Sequence, residues 1–158
     1  MLISAMLQAS LSKIIDPNDP LFTIYPNTTA EAIQNFSNAI DTYAKLVTPV
    51  TTPVSQELSK AAFVNVMTPI IVSNSPTFME LFPKALLAYA TALGLGMAPA
   101  FVGTPPVLPL TLEPVWALGM TQGSSSSQVV TLLSNTIDLW FRTGLAVNTA
   151  TGATIPWV

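Results

Sequence analysis

Residues that usually perform chemistry are scarce in this chain, and their spacing limits what the remainder can do. None of the 158 residues is His or Cys. A thiolate nucleophile, a disulfide framework and a Cys-based zinc site are therefore excluded, and the commonest transition-metal ligand is missing as well. A serine nucleophile would need Lys or an N-terminal amine as its base. Ser10-Leu11-Ser12-Lys13 and Ser59-Lys60 place the two types close together, but adjacent residues point to different faces of a helix. The surviving spacing, Ser10 with Lys13, is common by chance. No catalytic residue, metal ligand or cofactor site is expected, and the chain reads as a non-enzyme.

Eight carboxylates remain. The pairs closest in sequence are Asp16/Asp19 and Glu31/Asp41. Asp16 and Asp19 flank Pro17-Asn18, a setting for turn hydrogen bonds; a calcium site would need several more oxygens in a defined loop. Glu31 closes Thr28-Thr29-Ala30-Glu31, a capping box in which hydroxyl and carboxylate each take up a free N–H at the start of a helix. The run Ser124 to Ser127 follows Gly119 and Gly123 and could hold an anion at a helix N-terminus. No P-loop lysine follows, so the run reads as a redundant cap.

The three tryptophans are more informative. Trp140 has core spacing within a helix. Trp116 and the segment Ile155-Pro156-Trp157 are candidate interface residues, because indoles rarely bury completely and aromatics are enriched where proteins meet. For Trp157 two readings stay open: docking onto its own domain, or onto a neighbour in the manner of terminal arms that add a strand to an adjacent subunit.

Five helices must position these residues. Apolar residues at three- and four-residue intervals place the first over about 3–15, ending before Asp16-Pro17. The second starts at the Thr28 box, runs through Ile33, Phe36, Ile40, Tyr43 and Val47, and ends at Thr48-Pro49. The third starts at Thr52-Pro53, with proline at the first helical position, and ends at Thr68-Pro69. The fourth has its start signal at Ser75-Pro76, must bend or restart at Pro83, and reaches about Leu93. It is apolar nearly all round, as a central helix would be. The fifth follows the serine run, with Val130, Leu133, Ile137 and Trp140 on one side, Arg142 in its last turn and Gly144 as a left-handed stop.

Five prolines between Gly94 and Gly123 exclude a long regular element, so 97–123 reads as an extended crossing segment. Residues 145–158, β-branched around Thr151-Gly152, read as an extended arm or short hairpin. The expected fold is all-α: an irregular bundle in one domain, 1–144, followed by a C-terminal arm, 145–158.

Charge is as scarce as reactive chemistry. Lys and Arg number five, Asp and Glu eight, 8% of the chain where about a quarter is usual. Mean hydropathy is +0.54. The cations are scattered singly, so there is no basic stripe to hold phosphate and nucleic acid is not an expected partner. No cationic segment precedes an apolar block at the start, so a signal peptide is not expected. Residues 85–103 carry no charge and approach the length of a spanning helix, but Ala, Gly, Thr91 and Pro99 favour a buried core helix. A small membrane-active protein of the phage lysis or pore-forming type, using 85–103, is the alternative reading; a membrane is not the expected partner.

The C-terminal stretch Ile137-Asp138-Leu139-Trp140-Phe141-Arg142-Thr143-Gly144, followed by Asn148-Thr149 and Thr151-Gly152-Ala153-Thr154-Ile155-Pro156-Trp157, resembles the ending of small virion structural proteins of large tailed bacteriophages. The resemblance covers about twenty residues. It implies a structural part of a phage particle, in the tail or baseplate or on the head, assembled in the host cytoplasm and located in the virion. Its partners would be other virion proteins or copies of itself. Low charge, proline-capped helices and abundant Thr, Ser and Ala independently suit permanent subunit packing.

Overall fold

The computed structural model describes residues 1–22, 26–73 and 77–158. The chain is mostly helical. In order it forms α1 (Ser4–Ile15), α2 (Thr29–Ala44), α3 (Pro53–Met67), a short α4 (Pro69–Ser73), α5 (Phe78–Leu95), β1 (Phe101–Thr104), α6 (Glu113–Met120), α7 (Ser126–Phe141), β2 (Leu145–Asn148) and β3 (Thr154–Pro156).

The caps explain the starts. Thr28 Oγ1 accepts from the Glu31 N–H at 3.1 Å, while the Glu31 carboxylate reaches past the cap residue to the Asn27 N–H at 2.9 Å. Thr52 caps α3, with Pro53 in the first turn. Ser125 and Gln128 form a reciprocal capping box on α7, so the serine run is a cap. The start signal Ser75-Pro76 lies outside the described residues; α5 begins after Thr77, whose N–H donates to the Glu80 carboxylate at 2.7 Å. The helix runs on through Pro83 without restarting.

α5 packs along α3, α1 fits between α2 and α7, and the core is continuous. One aromatic group joins Phe36, Phe63, Phe78 and Phe82, with the last two stacked at 4.9 Å. A second centres on Phe141, whose ring lies 5.2 Å from Trp140, 5.7 Å from Tyr43, 6.3 Å from Tyr89 and 6.5 Å from Trp157.

The crossing segment holds more regular structure than its prolines imply. Pro114 sits in the first turn of the eight-residue α6, where a missing N–H costs nothing. Phe101–Thr104 forms a strand that pairs antiparallel with β2, which pairs in turn with β3. The segment 145–158 is therefore a hairpin, turning at Gly152 with φ +71°, and it is built into the same core as the helices. Its last residue bridges to the α2–α3 loop: the Thr48 N–H donates to Val158 O at 2.6 Å and the Val158 N–H returns a bond to Thr48 O at 3.3 Å.

The two flanks of the sheet differ. On β3 the Trp157-to-Gly144 and Asn148-to-Ala153 bonds fix the register so that Thr154 and Pro156 turn their backbone groups outward, and Pro156 has no N–H to offer. On β1 the outward residues are Phe101, whose N–H donates to Met97 O at 3.1 Å, and Gly103, pressed against the end of α5. A Cβ on Gly103 would lie 2.5 Å from the Gly94 carbonyl oxygen.

Candidate functional site

Several side chains whose spacing could have served chemistry are engaged in structure, while Ser10 and Lys13 lie half-buried and exposed on α1. Ser59 is buried and its hydroxyl donates to Ser55 O at 2.6 Å, while Lys60 pairs with Glu57 at 3.2 Å. Asp16 accepts from the Asn18 N–H at 3.1 Å and Asp19 from the Leu21 N–H at 2.8 Å, as turn residues do. Among the described residues, no group of three or more Asp or Glu is placed to hold a metal ion.

Two carboxylates meet buried tyrosines. The Tyr43 hydroxyl on α2 donates to Asp138 on α7 at 2.6 Å, and the Tyr89 hydroxyl on α5 donates to Asp41 on α2 at 3.0 Å. Burial, reinforced by the neighbouring carboxylate, pushes both phenols well above their ordinary range and keeps them as neutral donors. Arg142 completes the first pair, with Nε at 2.8 Å from Asp138 and a terminal nitrogen donating to Leu2 O at 2.7 Å. These links tie α2, α5, α7 and the N-terminal segment together.

The interface candidates separate. Trp157 is fully buried in its own chain: its indole N–H donates to Leu145 O at 2.9 Å and its ring lies against Gly144 and Gly94. Of the two readings left open by sequence, docking in cis is the one observed, and the indole is not available to a neighbour. The physical reason is the space left by two glycines. Gly144, expected as a left-handed helix stop, instead has no positive φ and serves to admit this ring. Ile155 is half-buried on the inner face of the sheet opposite Ala146, and Pro156 is exposed at the sheet flank. Trp116 is half-buried, edge-on to Phe78 at 6.1 Å.

Exposed apolar side chains are spread over the described residues, and one group of them lies on α5 and the crossing segment. α5 is not covered all round: Lys84, Leu87, Thr91 and Leu95 form an outward stripe, with Leu95 74% exposed. A cleft of about 260 Å³ separates Lys84 and Leu87 from the crossing segment Pro106–Leu110, which Trp140 anchors by donating its indole N–H to Leu108 O at 2.7 Å. Val107 and Leu108 point outward beside it, 82% and 65% exposed. The same Lys84 and Leu87 border a shallow groove along α5. The sequence signal for this face was the single cation at 84 followed by positions 87, 91 and 95, obscured by alanines on either side of it.

α5 is also the one helix among the described residues that is long and apolar enough to cross a membrane, and 44% of that window is buried. No family model, curated protein or solved structure matches the chain.

Proposed function

We propose that this chain is a non-enzymatic structural subunit of a viral particle, in the tail or baseplate or associated with the head of a tailed bacteriophage, acting through apolar packing against other subunits. The carrying observation is the character of its surface. Eighteen large apolar side chains are exposed among the described residues, more than the thirteen charged residues of the entire chain. Where such side chains adjoin, as Leu87, Val107 and Leu108 do around the α5 cleft, they mark interaction sites, and permanent interfaces are the most apolar of all. The viral assignment itself rests on the resemblance of residues 137–157. Copies of the chain and other virion proteins are the partners this reading requires.

Mass spectrometry of gradient-purified particles from a phage encoding this chain tests the reading. A fixed copy number per particle after a high-salt wash is expected; absence from washed particles overturns it.

A membrane-active role is the second reading, supported by the hydropathy of α5. It would require α5 to give up the Tyr89–Asp41 bond and its packing on α3. Retention of the chain in membranes after carbonate extraction would favour it over the first.

A further inference from the structure

We draw no further inference here: the strongest candidate, the apolar cleft of about 260 Å³ between α5 and the crossing segment Pro106–Leu110, has as its one charged wall residue Lys84, whose charge already acts on Glu80 of its own helix, and nothing in the structure shows what covers it.

Discussion

The indole of Trp157 occupies the space that a side chain on Gly144 would fill: a Cβ there would lie 2.5 Å from Cδ2 of the ring. The backbone of Gly144 also accepts the Trp157 N–H at 2.8 Å. The end of α7 and the end of the hairpin are thus fitted to one another, and Phe141 connects both to the two buried tyrosines.

Trp157→Ala should lower unfolding free energy by about 3–5 kcal/mol, the range for removing a large buried aromatic. Urea denaturation followed by circular dichroism measures it. Trp157→Phe should recover part of the loss, and Gly144→Ala should destabilise by about 1–3 kcal/mol through overpacking. A wild-type midpoint in Trp157→Ala would mean that the hairpin does not close the core.

Tyr43→Phe should cost about 1.5 kcal/mol, because it deletes a hydrogen bond to a charged acceptor while Arg142 still partners Asp138. Tyr43 and Tyr89 have folded-state pKa values above the ordinary phenol value of 10.0. Their contribution to stability is fully present below that value and is lost as pH rises toward the folded values. In an alkaline titration followed by absorbance, these two phenols should ionise only together with unfolding. Free titration of either in a still-folded chain contradicts the observed bonds.

Glu80 gives the opposite pH dependence. The Thr77 N–H, donating to its carboxylate, holds it below its ordinary value of 4.5. The resulting stability is present above that value and is lost as pH falls through the lower folded value. A comparison of melting temperature against pH for wild type and Glu80→Gln should show a difference near neutrality that closes in acid.

Ser37→Ala should stabilise the chain by about 1 kcal/mol. The Ser37 hydroxyl is fully buried without a hydrogen-bond partner among the described residues, and alanine both removes that desolvated group and is the better helix former. Thermal melting would register the gain; a loss of stability would show that the hydroxyl has a partner.

Most of the helical architecture could be read from local chemistry. Thr28, Thr52 and Ser125 mark helix starts because a cap satisfies backbone N–H groups within three residues of itself, a relation contained in the sequence. β1 could not be read in this way. Phe101–Thr104 has little character of its own among prolines and becomes a strand because residues 145–148, more than forty positions later, pair with it. The same long-range packing decided the interface candidates. The sequence leaves Trp157 two docking readings, and only the space left by Gly94 and Gly144 shows where it belongs. On α5, alanines hid an outward stripe inside an apparently uniform apolar helix, since a methyl group reads equally well as core or as surface.

The small sheet has a consequence for crowding. Along one margin Gly103 is pressed onto α5, and along the other Pro156 lacks an N–H, so Thr154 is the one residue of β3 that turns both a backbone donor and an acceptor outward toward a further strand. So short an edge, interrupted by proline, is a poor template for growth by strand addition. Molecules with this much apolar surface can then meet at high concentration with little tendency to extend one another's sheets.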